Sequence, residues 1–301
     1  MRRRRLEIGS VIVLCVVGLL CVGIVRAEPP ETIRRTAVLG ASASDGFNAY
    51  YWRLDDGKRV RDRIDLPTLL RIASDEQLVV TDLATAQFFA NPSGIGTRII
   101  DRAITAAPDL VVAIDFLFWF GYGTVGIDAK RIRTTEERLA MLDYGLDLLD
   151  RIDAPMIVGD IPDMSNASGR VLLPSQVPEE SVRRLMNDRI TAWADARERV
   201  TVFPLSDLHA RLGGSGDLLV GGQVLPAAAR KGMLQGDRLH PTLGGLLAIV
   251  AELDAVIGEY EPVASRMPPL ETDFETLRTR VRGFSEEPSS ESVATPSNET
   301  E

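Results

Sequence analysis

Short apolar runs alternate with longer amphipathic stretches along most of the chain. The apolar runs are typical of buried strands and cover residues 36–39, 77–81, 109–114, 155–159 and 200–203. Stretches with helical periodicity cover residues 98–107, 135–152 and 181–196, and a last one runs from just past Pro241 to about residue 258. Near-continuous apolar strands separated by such helices predict a parallel sheet that is buried on both faces. The predicted fold class is therefore α/β, a three-layer α/β/α sandwich with a five-stranded parallel sheet.

The two ends of the chain differ from this pattern and delimit the folded part to residues 35–282. Four arginines precede an uncharged apolar run over residues 8–25, and a small residue, Ala27, follows it. Residues 1–27 therefore predict either an export signal cut after Ala27 or a retained membrane anchor. Both interpretations place the rest of the chain outside the cytoplasm, in the periplasm, secreted or anchored. Residues 285–301 are rich in Ser, Glu and Pro, which predicts a disordered acidic tail.

Composition narrows the classes of function. The 301-residue chain is 45% hydrophobic, which is enough for a substantial core, and its formal charge is −9. This acidity argues against a nucleic-acid partner and against binding to anionic lipid through charge. Both cysteines, Cys15 and Cys21, fall in the N-terminal apolar run, so the folded part contains no disulfide, thiol nucleophile or cysteine metal site.

Two short stretches carry the candidate chemistry. His240 follows Asp237 by three residues and precedes the last apolar helix, so the carboxylate can hold one imidazole nitrogen and leave the other free as a base. Ser42 lies in a run of small residues after the first strand, where a sharp turn would present its hydroxyl beside backbone N–H groups. Each stretch also has a purely structural interpretation, as a helix cap with a buried histidine or as a capped glycine turn.

Taken together, the two stretches resemble the sequence blocks of the SGNH (GDSL-type) hydrolases. The family's first block reads Gly-Asp-Ser-x-Ser-x-Gly, and residues 40–46 read Gly-Ala-Ser-Ala-Ser-Asp-Gly. Its last block reads Asp-x-x-His-Pro before the final helix, and residues 237–241 read Asp-Arg-Leu-His-Pro. The resemblance implies a flavodoxin-like fold and a serine esterase or acyl hydrolase without metal or organic cofactor. It makes Ser42 the nucleophile, His240 the general base and Asp237 the residue that orients the imidazole.

The chain departs from the family at the residues that would stabilise an oxyanion. Ala41 replaces the acid before the nucleophile, and the glycine of the second block corresponds to either Gly94 or Gly96. The third block normally supplies an asparagine, but no asparagine lies between Asp109 and Asp128. The hydroxyl of Tyr122, the indole of Trp119 or a backbone N–H are the candidate substitutes. Losing one such donor costs about 10²–10³ in rate.

Several alternatives follow from these departures. The aromatic residues at positions 116, 118, 119, 120 and 122 either belong to the core or line the mouth of the site, where they would favour an apolar acyl chain or a sugar ring. His209 is assigned a structural or surface role. The expected substrate is a small-molecule or carbohydrate ester. The competing functions are a non-catalytic binding protein on the same scaffold and an acetyl transferase acting on envelope polysaccharide.

Overall fold

A computed structural model describes residues 31–284 of the chain. The predicted signal or anchor over residues 1–27 and the predicted tail over residues 285–301 lie outside the described residues. Within residues 31–284, no helix combines the length and the apolar character that crossing a bilayer requires.

The centre of the fold is a sheet of five parallel strands, which confirms the predicted α/β fold class. Its strands are β1 (Arg35–Gly40), β4 (Val79–Ala84), β5 (Leu110–Ala113), β6 (Met156–Gly159) and β7 (Val200–Phe203). Their order in the sheet is β4-β1-β5-β6-β7, and every neighbouring pair is parallel. The order reverses between β1 and β5, so the carboxyl ends of these two strands flank the crevice where such sheets carry their sites.

Helices cover both faces of this sheet. One layer contains α1 (Leu66–Ala73), α6 (Leu205–Gly213), α8 (Leu243–Glu259), α9 (Glu261–Ala264) and α10 (Phe274–Gly283). The other contains α2 (Pro92–Ala106), α3 (Phe118–Tyr122), α4 (Thr135–Asp150) and α5 (Glu180–Asp195). Successive residues of β1 serve the two layers in turn, because Val38 packs into the first core cluster and Leu39 into the second. The predicted three-layer α/β/α architecture is confirmed.

The predicted helices are present, and one of them begins earlier than its periodicity indicates. Helix α2 starts at Pro92 rather than near residue 98, because the side chain of Asn91 caps it by accepting the N–H of Gly94 at 3.0 Å. The first turn of α2 contains Ser93 and Gly94, which weakens the apolar pattern there. Gly94, one of the two candidates for the second-block glycine, thus lies in the first turn of α2 and donates its N–H to the capping residue.

Other elements were not predicted from the sequence. They are the hairpin β2 (Tyr50–Asp55) and β3 (Lys58–Arg63), the hairpin β8 (Leu218–Val220) and β9 (Gln223–Leu225), helix α7 (Ala227–Arg230), helices α1, α3, α6, α9 and α10, and two 3₁₀ turns, Ala86–Ala90 and Ser165–Ala167. The first hairpin leaves Tyr50, Trp52 and Leu54 exposed on one face, so it lacks the alternation of a half-buried strand pair. Strand β4 runs two to three residues later than predicted, because Val79 lies exposed at the sheet edge.

A close approach between β6 and the segment after β5 yields a stability prediction. A Cβ at Gly159 would lie 1.8 Å from the carbonyl oxygen of Ile114, whereas a Cβ at Gly258, near the end of α8, would meet nothing within 4 Å. We expect Gly159→Ala to lower the free energy of unfolding by about 2–3 kcal/mol or more, because backbone must move. Gly258→Ala should leave it unchanged or raise it slightly. Urea denaturation measures both, and equal stability of the two variants would contradict the packing described.

Candidate active site

The serine at the end of the first strand lies in a tight, buried turn. Strand β1 ends at Gly40, and the next residues form successive turns in which the N–H of Asp45 donates to the carbonyl of Ala41. Glycine is required at position 40, since a Cβ there would lie 2.2 Å from an Asp115 carboxylate oxygen and 2.5 Å from the hydroxyl of Ser44. The turn presents Ser42 with 7% of its surface exposed.

The carboxylate of Asp115 holds this turn in place. Asp115 follows strand β5, beside the end of β1, and it is 5% exposed. One of its oxygens accepts the N–H of Ala41 at 3.0 Å and the hydroxyl of Ser44 at 2.6 Å. The other accepts the N–H of Ala43 at 2.9 Å and the N–H of Ser44 at 3.2 Å. Burial raises the pKa of Asp115, and these four donors act in the opposite direction.

The pattern of these bonds leaves one N–H of the turn without an acceptor. The N–H groups of Ala41, Ala43 and Ser44 all donate to Asp115, and those of Asp45 and Gly46 donate to carbonyls within the turn. Among the described residues, no acceptor is recorded for the N–H of Ser42. The nucleophile candidate thus carries its own free backbone donor, which is the type of group that stabilises an oxyanion.

The histidine and aspartate of the last block complete a hydrogen-bonded chain. The Nε2 atom of His240 lies 2.9 Å from the Oγ of Ser42, although 198 positions separate the two residues. The Nδ1 atom of His240 lies 2.7 Å from a carboxylate oxygen of Asp237. Because a carboxylate accepts only, Nδ1 carries the proton, and Nε2 is left to accept the Ser42 hydroxyl proton. The structure brings together the three residues that the sequence singled out.

Local backbone contacts fix the carboxylate behind the imidazole. The second oxygen of Asp237 accepts the N–H groups of Leu239 and His240, both at 3.0 Å. Arg238 adopts a left-handed conformation, with φ of 67°, which turns the chain sharply enough to close this loop. Burial alone would raise the pKa of Asp237, but hydrogen bonds from the His240 side chain and from the two N–H groups outweigh it and lower that pKa.

Two further side chains hydrogen-bond to residues 235–241, the histidine loop, or link it to its surroundings. The Nε2 amide of Gln235 donates to the carbonyl of Phe47 at 2.7 Å and to that of Pro241 at 2.8 Å, so it links the loop to the serine turn. His209, on α6, lies with Nε2 3.0 Å from the carbonyl oxygen of Arg238. Burial lowers the pKa of His209. Sequence reasoning missed Gln235, and its structural assignment of His209 agrees with this supporting contact.

An apolar cavity of about 40 Å³ opens beside Ser42. Its walls come mainly from α6, from the segment before His240 and from the segment after β6, and include Phe118, Pro162, Met164, Leu205, Leu208, Leu212, Leu234, Leu239 and Ile249. The ring of Phe47, 38% exposed, lies 4.7 Å from the imidazole of His240 between ring centroids. A small apolar group attached to an atom near Ser42 would be enclosed here.

The residues predicted to supply oxyanion donors do not point at Ser42. The hydroxyl of Tyr122 is buried, donates to the carbonyl of Pro162 at 2.7 Å and accepts the N–H of Met164 at 2.9 Å, so it braces the chain after β6. The N–H of Gly94 is taken by the cap of α2. Gly96 packs against Phe120 and Leu148 between helices. These predictions differ from the structure because the Tyr122 hydroxyl bonds to the segment after β6 and the N–H of Gly94 bonds to the cap of α2.

The aromatic run after β5 belongs to the core, which settles the choice left open by the sequence. All five aromatic side chains are at most 8% exposed, and Phe118 and Tyr122 stack with centroids 4.4 Å apart. Of the five, only Phe118 lines the cavity beside Ser42. The indole N–H of Trp119 is buried and finds no acceptor within the described part of the chain. Its ring packs against Phe89 and Phe118, away from that cavity.

Within residues 31–284, no group of three or more His, Cys, Asp or Glu side chains is arranged to hold a metal ion. The polar groups that meet at Ser42 are its own hydroxyl, the imidazole of His240 and, behind the imidazole, the carboxylate of Asp237.

Comparisons with known proteins place this geometry among related folds. No protein-family model matches the sequence, and no curated protein matches it. Solved structures do match. The psychrotrophic esterase EstA from Pseudoalteromonas sp. is 14% identical, with a TM-score of 0.43 over 76% of this chain and 98% of that chain. An acetylxylan esterase from Geobacillus stearothermophilus is 14% identical, with a TM-score of 0.42 over 76% and 96%.

A protein described as a GDSL-like lipase, from Parabacteroides merdae, is 12% identical, with a TM-score of 0.44 over 75% of this chain and 96% of that chain. These neighbours are described as esterases and a GDSL-like lipase, in agreement with the predicted resemblance to SGNH and GDSL-type hydrolases. The roles of individual residues rest on the distances described above.

Replacing Asp115 tests its hold on the serine turn. An asparagine keeps one oxygen but directs an NH₂ group at N–H donors of the turn, so we expect Asp115→Asn to lower the free energy of unfolding by about 2–3 kcal/mol. Any ester turnover should fall as well, because Ser42 loses its fixed position. Asp188→Asn, at an exposed site on α5, is the matched control. Denaturation curves in which both variants match the parent protein would refute the conclusion that Asp115 holds the serine turn.

Asp237 should give a pH-dependent contribution to stability. Its pKa is lowered in the folded state, and an unfolded aspartate titrates near ~3.9. Between these two pKa values the unfolded chain therefore binds more protons than the folded chain. The contribution of Asp237 to stability is present above about pH 4 and is lost as pH falls through the folded pKa. We expect the difference in unfolding free energy between the parent protein and Asp237→Asn to shrink between about pH 6 and pH 3. A difference that stays constant over this range would be incompatible with the lowered pKa.

Proposed function

We propose that this protein is a serine hydrolase of the SGNH type that cleaves carboxylic esters outside the cytoplasm. The single observation that carries the proposal is the hydrogen-bonded chain from Ser42 through His240 to Asp237. Three residues chosen from two distant blocks meet with distances of 2.9 and 2.7 Å at the edge of an apolar cavity. A helix cap or a buried structural histidine explains neither the order of the three groups nor their place at the carboxyl end of β1.

The geometry supports the usual two-step chemistry. His240 takes the proton of Ser42 as the hydroxyl oxygen attacks the ester carbonyl, and Asp237 stabilises the imidazolium that forms. The imidazolium then protonates the departing alcohol, and an acyl-enzyme remains on Ser42. Water enters, loses a proton to His240 and attacks the acyl carbonyl, which releases the acid and restores the serine hydroxyl.

The backbone supplies one oxyanion donor in this scheme. The free N–H of Ser42 can donate to the oxygen that becomes negative, without any reorganisation of the turn. Asp115 stands where the family pattern would offer an asparagine, and its carboxylate is already occupied by four donors. Because the site has one side-chain donor fewer, we expect a slow enzyme, with a rate lower by about 10²–10³ than that of an enzyme with a full set of oxyanion donors.

The apolar cavity suggests the acyl part of the substrate. It adjoins Ser42, its walls are mainly apolar, and at about 40 Å³ it suits a short acyl group rather than a long chain. The alcohol would leave toward the exposed side of the site, past Phe47 and His240. Esters with short acyl groups on a larger alcohol, small-molecule or carbohydrate, therefore fit the proposed function. The export pattern in residues 1–27 supports the proposed location.

The occupied carboxylate of Asp115 also favours a second candidate, a protein that binds esters on the same scaffold without cleaving them. A fluorophosphonate probe separates the two candidates, because it reacts with a serine only where a base activates the hydroxyl. Covalent labelling at Ser42 would support the hydrolase, and unlabelled but folded protein would support the binding protein.

Replacing the serine gives the sharpest test of catalysis. We expect Ser42→Ala to reduce turnover of a short-chain aryl ester by about 10⁴-fold or more, and His240→Gln by a similar factor, because each removes a member of one unit. Ser181→Ala, at an exposed position on α5, is the control and should keep full activity. Folding of each variant is checked by circular dichroism. Unchanged hydrolysis in Ser42→Ala would remove the proposed function.

A further inference from the structure

A second cleft adjoins the histidine loop and shares Leu212 and Leu234 with the lining of the apolar cavity. Its volume is about 590 Å³, which is within the range of sites that hold small molecules. Glycine-rich backbone, the ends of α6 and α7 and the start of the histidine loop form it. Its lining comprises Arg170, Leu212, Gly213, Gly214, Ser215, Gly216, Ala227, Arg230, Lys231, Gly232, Leu234, Gln235, Gly236 and Arg238.

The cleft is cationic, although the chain as a whole is acidic. Four of its lining side chains carry positive charge, namely those of Arg170, Arg230, Lys231 and Arg238, and none of its lining residues is acidic. The formal charge of the chain is −9. Four like charges that converge without a counter-charge repel each other and are stabilised by an anion between them.

None of these four cations is neutralised by an acidic residue in the described part of the chain. Arg230 donates through its two terminal nitrogens to the carbonyls of Ser215 and Asp217, both at 2.6 Å, which fixes its guanidinium beside the glycine loop. Arg170 donates to the carbonyl of Gly236 at 3.2 Å. Lys231 and Arg238 are exposed, and no protein partner is recorded for either side chain. Other arginines of this fold behave differently, since Arg211 and Arg197 are both paired with carboxylates.

The chemistry of the donors points to phosphate. Guanidinium groups match the paired oxygens of a phosphate or carboxylate group, and an ammonium adds a compact point charge. Three or four cations around one cleft favour a dianion over a monocarboxylate. The glycines at 213, 214, 216, 232 and 236 leave the walls free of side chains, so a ligand can reach backbone groups.

We propose that this cleft is a binding site for a small phosphate-bearing molecule, with Arg230 as its fixed base and Arg170, Lys231 and Arg238 as cations that close on the anion. The site is distinct from that of Ser42, because Ser42 lines the apolar cavity and not the cleft, and the two share only Leu212 and Leu234. It is coupled to the histidine loop through Gly236 and Arg238, which flank Asp237 in the chain. The proposal does not depend on ester hydrolysis.

Calorimetric titration of the full chain in mild detergent tests the site. The probes are inorganic phosphate and glycerol phosphate, titrated at low ionic strength because exposed charges are screened by salt. We expect saturable binding of at least one of them with a single site per chain. Tighter binding of glycerol phosphate identifies an organic phosphate as the ligand, and equal affinities identify the phosphate group itself. Binding of neither probe, or tighter binding of citrate than of phosphate, would overturn the proposal.

Charge-neutral variants locate the site. The double variant Lys231→Gln and Arg238→Gln should weaken phosphate binding by about tenfold or more, because two charge-assisted contacts are lost. Neither side chain has a partner to lose, so folding is preserved. The matched control, Arg151→Gln with Arg189→Gln, removes the same charge from ion pairs with Asp101 and Asp143 on the other helical layer. Equal weakening of phosphate binding in the control would show that the net charge of the protein, and not this cleft, determines the affinity, which would overturn the proposal. Ser42→Ala should bind phosphate like the parent protein, whatever its effect on ester turnover.

Discussion

A fully buried carboxylate controls the geometry of the serine turn. Taking an ionised carboxyl group out of water is costly unless its oxygens are fully hydrogen-bonded, and Asp115 meets this condition with four donors from residues 41–44. The same bonds decide which backbone groups remain available. Because Ala41, Ala43 and Ser44 direct their N–H groups to Asp115, the N–H of Ser42 is left free beside its own hydroxyl. One side chain thus determines both where the nucleophile stands and which donor accompanies it.

The position of this carboxylate also accounts for a departure from the family pattern. The SGNH blocks place an acid just before the serine and an asparagine after the third strand of the sheet, whereas this chain has Ala41 and, at the end of β5, Asp115. The turn itself has no acid before the serine, and the acid that contacts the turn follows the neighbouring strand. The consequence is that a buried carboxyl group, whose pKa burial raises, lies beside the serine turn. Its hydrogen bonds hold the turn in position.

The parts of the fold that were predictable from sequence are those whose signal is local. Strands β5 and β6 are buried at every residue, and β1 and β7 are mostly apolar, so all four read as short apolar runs. The contact between Asp237 and His240 lies within one loop. The hairpin β2–β3 was missed because its exposed face carries Tyr50, Trp52 and Leu54, so apolar residues do not mark burial there. Helix α1 was missed because its eight residues are too few to show a helical period.

The site predictions that differ from the structure concern partners that are distant in sequence. Tyr122 was a candidate because it follows the third strand of the sheet, and Gly94 because it matches the family's second block. Their hydrogen bonds to Pro162, Met164 and Asn91 depend on packing and capping. Asp115 could have been recognised, because it is a carboxylate at the end of the strand next to β1, in a chain whose serine block lacks its acid. Its importance follows from the strand order, in which β1 and β5 are adjacent across the switch point.

Pre-organisation of the serine–histidine contact comes from the loops rather than from the helices behind them. Gln235 binds the carbonyl of Phe47 and so ties the histidine loop to the serine turn, while His209 contacts the carbonyl of Arg238 from the opposite side. Arg238 alone in this loop has a left-handed backbone, a conformation that costs a non-glycine residue on the order of 1 kcal/mol and persists only when neighbours hold it. The chain's two histidines therefore both bond to this loop, His240 through the carboxylate of Asp237 and His209 through the carbonyl of Arg238. Contacts on both sides of Arg238 are what keep Asp237 behind the imidazole.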